Sequence, residues 1–320
     1  MVTDGLRRRR ALLPARAATV VGITVSLLSG CARTNHYLVH PREAAPEVIT
    51  WSADFGHDQL RVHIEGARPA GRGPFATVLV HPEEDETAAA MHGVIWDLAA
   101  RGYVAIAADY RRWIHGKYRR NYFAWRSTAD VTLAIDVTRA YPEVDQNRIG
   151  ALGYSEGAVI SLLMAAHEPD RIQAVVAYSP ITDFPHWYAS EHPGLFPRVL
   201  FELARWQFRA DAEARSDDEF QSMLRLASPL YMAEFIRAPV LLVHGADDTL
   251  APAEESERMA ERLAASGTTT KLLVVPGGTR LFNFRQAPQA ALAWDATVEW
   301  LDRYLRPTWR AADQPRPGAG

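Results

Sequence analysis

The chain has 320 residues, 48% of them hydrophobic and 10% aromatic, which is enough apolar matter for a substantial core. Its formal net charge is −3 and its pI about 6.4, so it lacks the basic field of a nucleic-acid-binding protein. The body carries no repeat and no low-complexity tract, which excludes a fibrous or solenoid architecture.

In chain order, the first segment stands apart from the rest. Arg7 to Arg10 precede an apolar run from Ala17 to Leu28, which is shorter than the ~20 residues a spanning helix needs. A basic stretch, a short apolar stretch and small residues at the end predict an export signal over residues 1–30. Its last residues, Leu28-Ser29-Gly30 followed by Cys31, resemble a bacterial lipobox, which implies lipidation of Cys31 at the start of the mature chain. Cys31 is the single cysteine, so no internal disulfide can form. A plain cleaved signal with an incidental cysteine, or an ordinary membrane anchor, is the simpler reading. The Arg9-Arg10-Ala11-Leu12-Leu13 run also loosely resembles a twin-arginine signal. Residues 1–30 hold five arginines and one aspartate, so removing them changes the net charge from −3 to −7. The expected location is the bacterial cell envelope, with the chain held to a membrane outside the cytoplasm by lipid.

Residues 31–46 are expected to be a tether, 47–306 a folded domain and 307–320 a disordered tail. VITWSAD (48–54) and QLRVHIEG (59–66) alternate as half-exposed strands do, whereas ATVLVH (76–81) and YVAIAAD (103–109) are continuous apolar runs. Helical patterns cover 87–100, closed by Arg101-Gly102, and 124–140. RIGALG (148–153), a helix from about 156, AVVAYS (174–179), VLLVHG (240–245), a helix at 252–265, KLLVV (271–275) and a helix at 289–305 follow. Apolar strands alternating with amphipathic helices predict a mostly parallel α/β sheet covered on both faces, with ligands at the carboxyl ends of the strands. Residues 184–235 interrupt the alternation with many aromatics at helical spacing, and predict a helical lid. A helical excursion packed on the sheet is the plainer alternative.

The chemistry centres on Gly153-Tyr154-Ser155-Glu156-Gly157, a G-x-S-x-G sequence between an apolar strand and the helical run AVISLLMAA. That context turns a weak pattern into a specific one. Small residues at both ends allow a sharp strand-to-helix turn, and the helix N-terminus offers unpaired N–H groups to a developing anion. A glycine-rich turn with a bystander serine is the bland alternative.

VDQNRIGALGYSEGA, followed by SPLYMAEFIRAPVLLVHGADDTLAPAEESERMAERLAASGTTTKLLVVPGG, resembles the α/β-hydrolase superfamily in its prolyl oligopeptidase and dienelactone hydrolase branch. The resemblance runs from about residue 48 to 306. It implies Ser155 as nucleophile and Asp248 as the acid that orients a histidine, with Asp247 as fallback. It further implies the Glu156 backbone N–H as one oxyanion donor, with a second from the loop near Pro82 and Glu83. An ester or short-peptide substrate and no cofactor belong to the same expectation. Grouped His, Asp and Glu at metal spacing are absent from the sequence, so no metal is expected.

The resemblance breaks at VVPGGTRLFNF (274–284), where the place of the histidine, counted from Pro276, falls on Arg280. No histidine follows His244, so the order serine, acid, histidine cannot be completed. A guanidinium with a pKa above about 12 cannot accept a proton near neutrality. The loop HPEEDE (81–86) departs as well, since Pro82 has no N–H and four carboxylates follow it. Among other histidines, His115, His186 and His192 are the candidates to supply a base, while His81 and His244 fit structural roles at strand ends. Two readings stay open. One is a lipid-anchored serine hydrolase whose base comes from an unusual position. The other is a non-catalytic binding or scaffold protein of the envelope, in which Arg280 pairs with Asp248.

Overall fold

Strands without polar alternation need cover on both faces, and the chain supplies it with the helices that follow them in sequence. The computed structural model describes residues 47–55, 62–83, 86–109, 113–114, 117–118, 128–190, 199, 202, 205–206, 209 and 214–306, all within one compact unit of the chain. Residues 1–46 and 307–320, on which the expected export signal, Cys31, the expected tether and the expected tail fall, lie outside them.

The main sheet has eight strands in the order β1-β2-β4-β3-β7-β8-β9-β10. They are β1 (Val48–Phe55), β2 (Val62–Pro69), β3 (Phe75–His81), β4 (Val104–Ala108), β7 (Val144–Tyr154), β8 (Ala174–Tyr178), β9 (Val240–Gly245) and β10 (Thr270–Val275). β1 and β2 pair antiparallel, as do β2 and β4, and every later pairing is parallel. β5 (Trp113–Ile114) and β6 (Lys117–Tyr118) form a separate small hairpin. β2, described from Val62, runs three residues beyond the end of QLRVHIEG, because its partners Trp51 to Val48 extend the pairing to Pro69. The polar alternation of this strand matches several registers equally well.

One face is covered by α2 (Thr128–Arg139), α3 (Glu156–His167) and α6 (Glu254–Ala265), and the other by α1 (His92–Ala100), the short α7 (Phe282–Arg285) and α8 (Ala287–Leu305). Alternate residues of β7 therefore enter different cores, with Ile149 and Ala151 on the α3 side and Leu152 and Tyr154 on the α8 side. α3 is buried from Gly157 to Ala166, which its nearly all-apolar sequence requires.

The interruption between β8 and β9 is helical where it is described. α4 (Phe184–Ala189) is capped by the Asp183 side chain, and α5 (Asp217–Leu226) by Ser216. α5 and the 3₁₀ turn Pro229–Phe235 place Phe220, Leu224 and Ala233 in the core on the α3 side. This half of the insertion is thus built into the sheet's cover, while α4 reaches the strand ends through the Trp187 indole, which donates to Leu250 O at 2.9 Å. Most of 191–213 lies outside the described residues.

Candidate active site

Four strand ends converge. β7 leads directly to Ser155, β8 to Ser179, β9 to Asp248 and β10 to Arg280. Their loops are stitched together by backbone bonds, including Ser155 N to Tyr178 O at 2.8 Å, Ser179 N to Val243 O at 2.8 Å and Asp247 N to Gly278 O at 2.8 Å. Such ladders hold the loops at fixed separations, which is what the chemistry of a multi-residue site needs.

Ser155 has φ 54 and ψ −114, in a region that non-glycine residues avoid. A conformation of this kind costs about 1–3 kcal/mol and persists only where its surroundings impose it. Here the surroundings are two close approaches. A Cβ at Gly153 would collide with the backbone of Gly157, and a Cβ at Gly157 would collide with the carbonyls of His81 and Pro82. The two glycines therefore let the turn fold against its own helix and against the end of β3. The Glu156 N–H opens the first turn of α3 beside Ser155, where the helix macrodipole favours negative charge. On the other side, Glu83 O accepts from Glu86 N at 3.1 Å, closing a turn after Pro82; Glu84 and Asp85 are outside the described residues.

Asp248 is buried, and its Oδ1 accepts from Leu250 N and Ala251 N, both at 3.0 Å. Its Oδ2 faces Arg280, whose Nη1 donates to it at 3.0 Å. Burial pushes the Asp248 carboxyl up, but the Arg280 charge, His244 and the Ala251 N–H together outweigh it and hold the group at about 2. The neighbouring Asp247 is exposed and contributes its backbone N–H, not its side chain, to the loop.

Arg280 closes the constellation. Besides Asp248, its Nη1 donates to Ser179 O at 3.2 Å, and its Nη2 donates to Ser155 Oγ at 2.5 Å. One guanidinium therefore spans the carboxylate and the hydroxyl. The loop that carries Arg280 is clamped by Gln286, which was not singled out from sequence. The Gln286 Oε1 accepts from Thr279 N and Thr279 Oγ1, and its Nε2 donates to Gly277 O at 2.8 Å. Ser179 also escaped the sequence reading. Neither residue belongs to a motif: Ser179 O meets Arg280 from a distant strand end, and Gln286 clamps a turn only seven to nine residues before it.

No other described histidine replaces the missing one. Both ring nitrogens of His244 are engaged: a carbonyl can only accept, so Nε2 donates to Ala251 O at 2.7 Å, while Nδ1 pairs with Ser256 Oγ at 2.7 Å. His81 is fully buried, and burial pushes its imidazole down to about 3. His186 stands on α4 with its Nε2 3.8 Å from Glu254 Oε1. His115 and His192 lie outside the described residues. Among the described residues there is also no cluster of His, Cys, Asp and Glu fit to hold a metal ion.

A parallel-centred sheet, a strained serine between strand and helix, and a buried acid after a later strand define an α/β-hydrolase. The comparisons with known proteins narrow this. Residues 87–308 match the model of the prolyl oligopeptidase family, and the chain belongs to that family of serine hydrolases. It is 25% identical to dipeptidyl-peptidase 5 of Porphyromonas gingivalis over 225 residues, which is 66% of this chain and 31% of that protein. The chain thus spans about a third of the length of this curated relative. Among solved structures it is similar to an acylaminoacyl peptidase of Pyrococcus horikoshii, with a TM-score of 0.67 at 17% identity over 89% of this chain and 44% of that one. A protein assigned as a dienelactone hydrolase from Klebsiella pneumoniae gives a TM-score of 0.59 at 21% identity, covering 81% of this chain and 100% of that one. The last match has the extent of the folded domain alone.

Proposed function

We propose that this chain is a ligand-binding descendant of the prolyl oligopeptidase family that keeps the pocket of an ester or short-peptide hydrolase without its turnover, and that it works in the bacterial cell envelope on a lipid anchor at Cys31. The observation that carries the reading is the Arg280 guanidinium, which bonds Asp248 and Ser155 at once. A general base must take the serine proton as the nucleophile attacks, and arginine holds its own proton at any physiological pH. The Nη2 donor also engages one of the two lone pairs of Ser155 Oγ, which lowers the nucleophilicity of the oxygen. An unassisted serine hydroxyl is a poor nucleophile, and loss of one triad member removes orders of magnitude of rate.

A second reading keeps the enzyme. The strained backbone of Ser155 favours it, since a serine freed from catalysis has no need of φ 54. In that reading the roles are Ser155 as nucleophile, Asp248 as acid, and the N–H groups of Glu156 and Glu83 as oxyanion donors, with a base brought from elsewhere.

Labelling of the full chain with a fluorophosphonate probe separates the two. Wild type is expected to stay unlabelled. Arg280→His is expected to label, and adding Ser155→Ala to it is expected to abolish that label. Ser155-dependent labelling of wild type would overturn the non-catalytic reading.

A further inference from the structure

We propose that the Ser155 site is a receptor for a free monocarboxylate, the acid that an ester or peptide leaves on hydrolysis, held between the Ser155 hydroxyl and the Arg280 guanidinium. That the acid is a resident ligand and not a departing product rests on the non-catalytic reading above. The observation behind the proposal is that this pair of side chains offers donors. A serine hydrolase meets its substrate with a hydroxyl and an imidazole able to accept a proton. Here a guanidinium takes the place of that acceptor, and it has five N–H donors and no acceptor. Ser155 Oγ accepts from Arg280 Nη2 at 2.5 Å, so its own proton is directed away from the guanidinium and is left to donate.

Arg280 shares its charge with Asp248, and the geometry decides which of the two a ligand meets. The Asp248 side chain has no exposed surface, whereas 18% of the Arg280 side chain is exposed. Asp248 is also engaged on both oxygens: Oδ1 accepts from Leu250 N and Ala251 N, and Oδ2 from Arg280 Nη1. The ion pair therefore shows its cation to solvent and keeps its anion behind. Within the protein, Nη1 serves Ser179 O and Asp248 Oδ2, and Nη2 serves Ser155 Oγ. The Nε–H and the second Nη2–H meet no acceptor among the described residues. A guanidinium thus has donors left for a second carboxylate, through bonds of the charge-assisted kind.

The surroundings favour one negative charge and oppose two. α3 opens at Glu156, so the positive end of its macrodipole lies beside Ser155. The Glu156 side chain belongs to the same first turn, and Glu83 and Glu86 close the turn that follows His81 and Pro82, whose carbonyls press on Gly157. These carboxylates repel a dianion more than a monoanion. The strain at Ser155 also gains a use that needs no turnover: with φ 54 the residue brings its Oγ to Arg280, where the hydroxyl serves as a ligand donor.

Nuclear magnetic resonance of the full chain carrying 15N-labelled arginine tests this, with acetate, neutral acetamide and doubly charged sulfate as probes. The Arg280 Nε–H signal is identified by its loss in Arg280→Met. Acetate is expected to shift that signal saturably, with acetamide and sulfate each weaker by about tenfold, the effect of one charge-assisted bond exchanged for a neutral one or opposed by repulsion. Ser155→Ala removes one donor and no ionic contact, so it keeps the fold and is expected to weaken acetate by about fivefold. No saturable shift with acetate would overturn the proposal. So would equal affinity for acetamide or sulfate, or an unchanged acetate affinity in Ser155→Ala. Fluorophosphonate labelling of the same wild-type sample keeps this proposal apart from the reading it rests on. An unlabelled sample that ignores acetate would defeat the carboxylate site alone, whereas a labelled sample that binds acetate would defeat the non-catalytic reading and make the acid a product.

Discussion

A permanent charge at Arg280 is tolerable in a nearly enclosed place because Asp248 faces it with a carboxylate that has no exposed side-chain surface. Each group compensates the other's lost hydration, and removing either leaves an uncompensated buried charge. Asp248 ionises near 2 in the fold, below its ordinary 3.8, so it binds fewer protons folded than unfolded through that interval. Its contribution is therefore complete above the unfolded value and disappears as pH falls through about 2. A shift of that size corresponds to about 2–3 kcal/mol. We expect urea-unfolding stability to rise between pH 2 and 5, and Arg280→Met to flatten much of that rise, because burial then pushes the carboxyl up unopposed by the guanidinium. An unchanged slope in Arg280→Met would mean that other carboxylates dominate the acid limb. At this scale the sequence was legible where a motif sets the spacing: Ser155 from G-x-S-x-G, Asp248 from its place after VLLVHG, and Arg280 by counting from Pro276. Ser179 and Gln286 were not legible, since a carbonyl acceptor and a loop clamp leave no pattern in the chain.

At the scale of elements, each side chain of the site depends on a turn whose geometry is set by close packing. Gly157 is pressed against the carbonyls of His81 and Pro82, so Gly157→Ala must displace α3 or the end of β3. Backbone cannot yield as a flexible side chain does, and the expected loss is about 3 kcal/mol in urea unfolding. A loss under about 0.5 kcal/mol, typical of an unconstrained surface site, would contradict the close approach. The loop bearing Arg280 depends instead on the Gln286 amide, which makes three bonds to Gly277 and Thr279. Gln286→Ala is expected to cost about 1–2 kcal/mol, much of it local, and to speed amide hydrogen exchange at Thr279 well before global unfolding. Exchange at Thr279 equal to wild type would show that Gln286 is not the clamp. The central strands were legible because a parallel sheet covered on both faces leaves continuous apolar runs, as in VLLVHG. The extension of β2 to Pro69 was not legible because alternation alone does not fix how far a pairing runs, and the two-residue β5 and β6 are too short to carry any period.

For the whole molecule, alternation of strands and helices implied a parallel centre, but not that β3 lies between β4 and β7. That order depends on which crossovers bury apolar surface, a property of assembled layers rather than of any segment. The proposed attachment to a membrane belongs to the same scale. No described helix is long and apolar enough to cross a bilayer. Without residues 1–30 the chain carries −3 − 4 = −7, so on net charge anionic headgroups would repel it, while residues 111–126, with five arginines, one lysine and no acidic residue, are the stretch of sequence that would oppose that repulsion. If the lipid at Cys31 is the anchor, its removal should release the protein completely at a salt concentration that screens the basic stretch 111–126. Electrostatic attachment would also weaken in salt, whereas lipid attachment would not. We therefore expect wild type expressed in a bacterial host to sediment with membranes at both low and high salt, and to incorporate a clickable fatty acid. Cys31→Ser should take up no fatty acid; it should leave the membrane fraction if the apolar run is still cleaved, and stay there uncleaved if the run itself can serve as an anchor. Fatty-acid incorporation into Cys31→Ser would place the lipid elsewhere and remove the assigned role of this cysteine.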